Sequence, residues 1–143
     1  MRKRLIYRKK MINEMNQKKS CVIAYEYWQM QCCGDPLKVG EQTELGIETY
    51  SEPYTLAGYH VDYNEEHHHG ATAVAKGIIK QIKIVFVDKY ADDNSEFCNL
   101  DNTFAVFDAD YVDGWDDIEK CGHSYSDIFM YLVFMEDVTI DEL

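Results

Sequence analysis

Residues 73–87 read AVAKGIIKQIKIVFV and carry the strongest strand signal in the chain. Large apolar side chains fall on even positions of this stretch, which predicts a long strand with one buried face. These side chains are Val74, Ile78, Ile82, Ile84 and Phe86. Gly77 interrupts the run, and a glycine inside a strand predicts a bulge or a bend where the strand passes from one sheet to another. The stretch therefore indicates a bent sheet rather than a flat one.

Shorter apolar runs on both sides of this stretch predict five more strands. They cover residues 21–28, 43–50, 57–63, 103–111 and 128–140. The last run is apolar on both faces up to Met135, which predicts a central place in the sheet. We therefore expect a mainly β fold, either a small SH3-like or OB-like barrel or a strongly bent antiparallel sheet. Long acidic loops are expected over residues 88–102 and 113–127.

The length of 143 residues predicts a single β-rich domain, which we place at residues 21–143. Residues 1–20 hold eight of the fourteen Lys and Arg residues beside a single glutamate, and they predict a basic N-terminal arm, flexible or helical. Because the whole chain carries a net charge of −12, the remainder is strongly acidic. An acidic body repels nucleic-acid phosphates, so we expect nucleic-acid contact only through the basic arm.

The five cysteines form an odd set, and the sequence contains neither a signal-peptide core nor a run long enough to span a membrane. These features are typical of a cytoplasmic protein whose thiols are reduced. We therefore expect no disulfide framework and no membrane attachment.

Cysteines and histidines in two predicted loops form a candidate zinc site, because thiolate and imidazole are ligands that zinc prefers. The candidate ligands are Cys32, Cys33, His67, His68 and His69. Adjacent cysteines on a strand point to opposite faces, so the pair can share a metal only in a loop, which Gly34 and Pro36 permit. The spacing matches no zinc finger. Packing of the cysteines beneath the turn and a solvated histidine loop are the competing interpretation.

Aromatic and acidic residues form a second candidate site, which is suited to a basic protein surface or to a small ligand. Its members are Trp28, Tyr63, Asp113, Trp115, Asp116, Asp117 and Tyr125. Carboxylates between Asp108 and Glu119 are also dense enough to suggest a Ca²⁺ or Mg²⁺ site, although they do not match an EF-hand loop.

Residues 28–41 form a string of the type W-x-M-x-C-C-G-x-P-[F/L]-x-V-G-[D/E]. A His-Gly pair follows at residues 69–70, and a G-x-[I/V]-x-x-I segment follows at residues 77–82. With these features, residues 21–87 resemble an uncharacterised bacterial family of domains of unknown function. The resemblance implies no activity. It implies only that the Cys-Cys-Gly loop and the histidine loop belong to one module.

Our preferred functional hypothesis is a non-enzymatic acidic binding protein that docks a basic surface, as inhibitors and immunity proteins of nucleases do, or captures a small ligand. The alternative is a zinc-binding module that uses the Cys32-Cys33 loop and the His67–His69 loop. A second alternative is a thiol-dependent enzyme with Cys32 or Cys33 as nucleophile and a histidine as base. The sequence has no glycine-rich phosphate loop, serine elbow or zinc-protease motif.

Overall fold

A computed structural model describes residues 19–68, 70–87, 104–116 and 127–143 of the chain. Strands dominate these ranges, which confirms the mainly β fold. The elements are β1 (Lys19–Glu26), α1 (Tyr27–Cys33), β2 (Leu37–Lys38), β3 (Gln42–Glu48), β4 (Tyr54–Leu56), β5 (Tyr59–Val61), β6 (Tyr63–Glu65), β7 (Ala73–Val87), β8 (Phe104–Ala109), β9 (Tyr111–Val112) and β10 (Asp127–Glu142). In these ranges, no helix is both long and apolar enough to cross a membrane.

Six strands form one sheet in the order β10-β1-β6-β3-β7-β8, and β10 also pairs with β7. Hydrogen bonds therefore run in a ring through β10, β1, β6, β3 and β7, and the sheet is highly curved. This confirms the strongly bent sheet. Every pair in the ring is antiparallel except β1 and β6, which run parallel with Ile23 opposite Tyr63 and Ala24 opposite Asn64.

Buried side chains from the strands of the ring form the main core. Its largest fully buried members include Ile23, Ile47, Phe86 and Tyr131, and Met30 of α1 packs with them. Alternate residues of the same strands form a second cluster, which contains Ala24, Val85 and Leu132 and is covered by the β4–β5 hairpin. β10 thus contributes to both clusters and pairs with β1 and β7, so the prediction of a central last strand is confirmed.

The long strand β7 has the predicted bounds, but its buried face changes part of the way along. Ile82, Ile84 and Phe86 are buried as predicted, whereas Val74 and Ile78 are only half-buried, and the residues around them, Ala73, Ala75 and Ile79, are buried instead. The cause is a register shift, because Met135 pairs with Ile79 while Phe134 pairs with Gln81. Lys80 is the extra residue of this bulge, and a one-residue slip moves every later side chain to the other face. β7 pairs with β3 before the bulge and with β8 after it.

Two predicted strands end differently in the structure. The strand predicted over 21–28 ends at Glu26, because residues 27–33 form α1. The strand predicted over 57–63 is divided between β5 and β6. Ala57 and Gly58 form the turn of the β4–β5 hairpin, with φ angles of 50° and 83°. A two-residue hairpin turn favours positive φ at both positions, so this turn lies where the apolar pattern suggested a strand.

Replacing Gly77 by Ala should destabilise the fold, because Gly77 lies against the irregular part of β10. A Cβ atom at this position would lie 2.8 Å from the carbonyl oxygen of Glu136 and 2.9 Å from Cγ2 of Val138. We expect a loss of about 1–3 kcal/mol in the free energy of unfolding, measured by urea denaturation. Lys80→Ala, an exposed position in the same strand, is the matched control and should change stability by less than about 0.5 kcal/mol. Equal stabilities for the two variants would contradict the packing described.

Candidate metal centre

The parallel pairing of β1 with β6 brings two distant segments of the chain together. Parallel neighbours place their carboxyl ends at the same edge of a sheet. At that edge, β1 ends at Glu26 and continues into α1, while β6 ends at Glu65 and continues into the histidines. The last residue of α1, Cys33, therefore meets His67, which is 34 positions further along the chain.

The short helix α1 is held in place from its inner side. Met30 is 2% exposed, and its carbonyl oxygen accepts a hydrogen bond from the backbone N–H of Gly34. Gly34 lies directly beneath the hydroxyl of Tyr25, and a Cβ atom there would also lie 2.8 Å from Cα of Met30. Only glycine fits at this close approach, so the Cys-Cys-Gly sequence fixes where the helix ends.

The sequence analysis expected Cys32 and Cys33 in a loop. In the structure they lie in the last turn of α1. Neighbouring residues on a helix project about 100° apart, unlike the opposite directions on a strand. Both side chains are exposed on the histidine side of the helix, with their Sγ atoms in disulfide contact. The end of the helix therefore directs two sulfur atoms toward one site, as the predicted loop was expected to do.

Four side chains converge at this point, and they come from two separate segments. Cys33 Sγ lies 2.9 Å from Nε2 of His67 and 3.4 Å from Nε2 of His68. Together with Cys32 Sγ, these ligand atoms all lie within 4.8 Å of one another. Tetrahedral zinc with bonds of about 2.0–2.3 Å needs ligand atoms about 3.3–3.8 Å apart. The Cys32–Cys33 pair must therefore be reduced and its sulfur atoms must separate before the four ligand atoms can take the spacing of a Cys₂His₂ zinc site.

Glu65 orients one of the imidazoles and was not identified from the sequence. Its Oε1 atom lies 2.6 Å from Nδ1 of His67, which leaves Nε2 of His67 directed at Cys33. Burial raises the pKa of the Glu65 carboxyl to about 7, although the hydrogen bond with His67 opposes that rise. A carboxylate on the far nitrogen of a histidine is the usual outer partner of a metal-bound imidazole. The signal in the sequence was the spacing of two between Glu65 and His67, which places both on one side of an extended chain.

The histidine loop is also fixed through its backbone. The N–H of Glu66 donates to the carbonyl oxygen of Gly46 at 2.8 Å, and the N–H of His68 donates to Oε1 of Glu66 at 2.8 Å. The rings of His67 and His68 lie 4.4 Å apart. These contacts keep both imidazoles beside α1. The bond from Glu66 attaches the start of this loop to β3, while His68 itself is exposed.

Of the other cysteines and histidines, the structure describes only Cys21 and His60. His69 lies outside the described residues, as do Cys98, Cys121 and His123. Cys21 is buried in the main core, and burial raises the pKa of its thiol to about 12. Within the described ranges, the four side chains of residues 32, 33, 67 and 68 are the one group of three or more His, Cys, Asp or Glu residues close enough to share an ion.

The aromatic and acidic candidates are not gathered into one site in the described residues. Trp28 and Trp115 are 55% and 72% exposed, whereas Tyr63 packs against the main core. Asp113 accepts a hydrogen bond from the N–H of Trp115, and Asp116 accepts one from the hydroxyl of Tyr131. Asp117 and Tyr125 lie outside the described residues.

The acidic segment nevertheless lies beside the helix that carries the cysteines. A Cβ atom on Gly114 would lie 2.9 Å from the backbone nitrogen of Gln31. The two exposed tryptophans are therefore carried by neighbouring segments.

Asp108, one of the carboxylates considered for Ca²⁺ or Mg²⁺, lies in β8 and forms a 2.6 Å ion pair with Lys83.

Comparison with sequence families gives a match over residues 19–136 to a family described as a family of unknown function (DUF6578). The match confirms the resemblance to an uncharacterised domain and extends it beyond residue 87. Neither the curated proteins nor the solved structures yielded a match.

The parent protein should lose stability as the pH rises and Asp116 ionises. Replacing Asp116 by Asn should abolish this dependence on pH. Burial raises the pKa of Asp116 above its ordinary 3.8, so the folded state holds this proton more tightly than the unfolded state. Stability is therefore lost as the pH rises through the folded-state pKa. Asparagine cannot ionise but still accepts the hydrogen bond from Tyr131. Urea denaturation at a series of pH values should show the variant gaining stability relative to the parent from acid to neutral pH.

Tyr131→Phe tests the same interaction in the opposite direction. The Tyr131 hydroxyl lowers the pKa of Asp116, so its removal should enlarge the loss of stability at neutral pH. Parallel pH profiles for the parent and both variants would contradict the half-buried position of Asp116.

Proposed function

Because this chain belongs to the DUF6578 family, whose function is unknown, we propose its function from the site itself: it is a zinc-binding module. The ligands are Cys32, Cys33, His67 and His68. The observation that supports this proposal is the convergence of their four ligand atoms within 4.8 Å, from segments more than thirty residues apart in sequence.

The donor set selects zinc among common cations. Ca²⁺ and Mg²⁺ prefer oxygen ligands, whereas two thiolates with two imidazoles suit Zn²⁺. Four protein ligands complete a tetrahedral shell and leave no position for a substrate or a reactive water. The chemistry of this donor set is therefore that of a structural or regulatory metal, and it does not favour the thiol-enzyme alternative.

The metal would fasten α1 to the segment that follows β6. Helix α1 is short, with Gln29 and Met30 as its buried residues, and Gly114 of the Asp113–Asp116 segment lies against its Gln31. A metal bound by both segments stabilises the folded state, because the unfolded chain does not hold the four ligands together. The thiols must lose their protons to bind zinc, so the affinity should fall as the pH is lowered. A reducing compartment such as the cytoplasm keeps both thiols available.

Docking of a basic surface or capture of a small ligand is a second candidate function. The observation in its favour is the exposure of Trp28 and Trp115 on neighbouring segments of a strongly acidic chain. Asp113 would contribute a carboxylate beside Trp115, whose backbone N–H it binds, while the carboxylate of Asp116 is bonded to Tyr131. This function is compatible with zinc binding, since a metal at α1 would also fix the orientation of Trp28.

The reduced 143-residue chain should bind one zinc ion. We would load it with zinc under a thiol-free reductant, remove free metal and measure the bound metal by elemental analysis and competition with a chromophoric chelator. Cys33→Ser should lower the affinity by more than about 100-fold, because loss of a ligand costs more than loss of an outer partner, which typically costs about 10- to 100-fold. Glu65→Gln, which alters only that outer partner, should fall within the smaller range.

Cys21→Ser is the matched control for the zinc measurement. Its sulfur is buried in the main core, away from the four ligands, so zinc stoichiometry and affinity should remain those of the parent. A reduced parent protein that retains no zinc at neutral pH contradicts the proposed function. Equal affinities for the parent and Cys33→Ser contradict the assignment of the ligands.

A further inference from the structure

The two sulfur atoms of the metal site are also disulfide partners. The Sγ atoms of Cys32 and Cys33 lie in disulfide contact in the structure, and the same atoms belong to the group that could hold a metal. The two states exclude each other. Zinc requires both sulfurs as thiolates, and a disulfide offers neither. The site therefore has two chemically distinct forms that use the same atoms.

The position of the pair exposes both sulfurs to small oxidants. Cys32 and Cys33 are exposed at the end of α1, whereas Cys21 is 4% exposed and burial raises the pKa of its thiol to about 12. Redox-sensing cysteines are accessible and stand beside a second cysteine that resolves the oxidised form. Here the second cysteine is the next residue, and the two Sγ atoms lie in disulfide contact at the end of α1.

We propose that the Cys32–Cys33 pair is a redox switch that releases the metal when a hydroperoxide oxidises the two thiolates to a disulfide. This inference rests on the proposed zinc site. One thiolate attacks a peroxide oxygen, so that an S–O bond forms, the O–O bond breaks and the leaving oxygen takes a proton to become water or an alcohol. The second thiolate attacks the resulting sulfenic acid. The S–S bond forms, the S–O bond breaks and hydroxide leaves with a proton as water.

The electron balance is one hydroperoxide reduced for two thiolates oxidised, and one zinc ion leaves as Zn²⁺ because two of its four ligands are gone. The two histidines that remain bind zinc far more weakly than the complete set. His67 stays bonded to Glu65 and His68 to its own loop, so the imidazoles keep their positions. Reduction of the disulfide by a dithiol then regenerates a site that can bind zinc again.

The test uses the full chain with Cys98 and Cys121 replaced by serine, so that Cys32, Cys33 and the buried Cys21 are the remaining thiols. The reduced, zinc-loaded protein receives one equivalent of hydrogen peroxide in the presence of a chromophoric chelator. We expect release of all the bound zinc, a mass decrease equal to two hydrogen atoms, and a peptide map with a Cys32–Cys33 disulfide. Dithiothreitol followed by fresh zinc should restore the original occupancy.

Two variants define what the release depends on. Cys21→Ser should behave like its parent in every measurement. Cys32→Ser lacks one of the ligands, so its readout is the sulfur of Cys33 rather than bound zinc. It should form no internal disulfide, and excess peroxide should drive the Cys33 thiol to sulfinic acid, which dithiothreitol does not reduce. Full recovery of the Cys33 thiol in Cys32→Ser would contradict the role of the pair.

The experiment distinguishes failure of the redox switch from failure of the proposed zinc binding. A reduced protein that takes up no zinc overturns the proposed function and the switch together. A protein that binds zinc and keeps it after the peroxide is consumed overturns the switch alone. Release accompanied only by sulfinic acids or by disulfides between chains also overturns the switch, because the metal would then be lost through damage rather than through the adjacent pair.

Discussion

The parallel contact between β1 and β6 is the constraint on which the candidate site depends. It is short, with two paired residues on each strand, and the rest of the ring is antiparallel. Parallel strands send their following segments to the same edge, so α1 and the histidine segment must emerge side by side. An antiparallel pairing of the same strands would send these segments to opposite ends of the sheet. The direction of one small strand therefore decides whether sulfur and imidazole can meet.

The sequence predicted much of the sheet and drew attention to the residues of the candidate site, but not the reason they meet. β7 and β10 are long and apolar, so their positions could be read from composition and length. Cys32, Cys33, His67 and His68 stand out by residue type alone. β6 has three residues and carries no periodic signal, so neither its existence nor its direction could be inferred. A bulge or bend was predicted at Gly77, whereas the extra residue of β7 is Lys80, and the apolar pattern could not locate it because β7 is apolar on both sides of the slip.

The role of Glu65 depends on the burial of its side chain. In the sequence it is one of two glutamates beside a histidine run, a pattern typical of a solvated loop. In the structure its side chain is 2% exposed, and burial raises the pKa of its carboxyl to about 7. A buried carboxyl is costly unless it has a partner, and the imidazole of His67 provides one. The same bond orients the ring, so a residue that is costly to bury also directs Nε2 of His67 toward Cys33.

The central claim is that one metal ion is held by two sulfurs and two imidazole nitrogens. X-ray absorption at the zinc edge of the reduced, zinc-loaded protein measures that shell directly. We expect two sulfur atoms at about 2.3 Å and two nitrogen atoms at about 2.0–2.1 Å. In Cys33→Ser the sulfur contribution should fall by half. A first shell of oxygen and nitrogen without sulfur, in a protein whose thiols are shown to be reduced, would contradict the account.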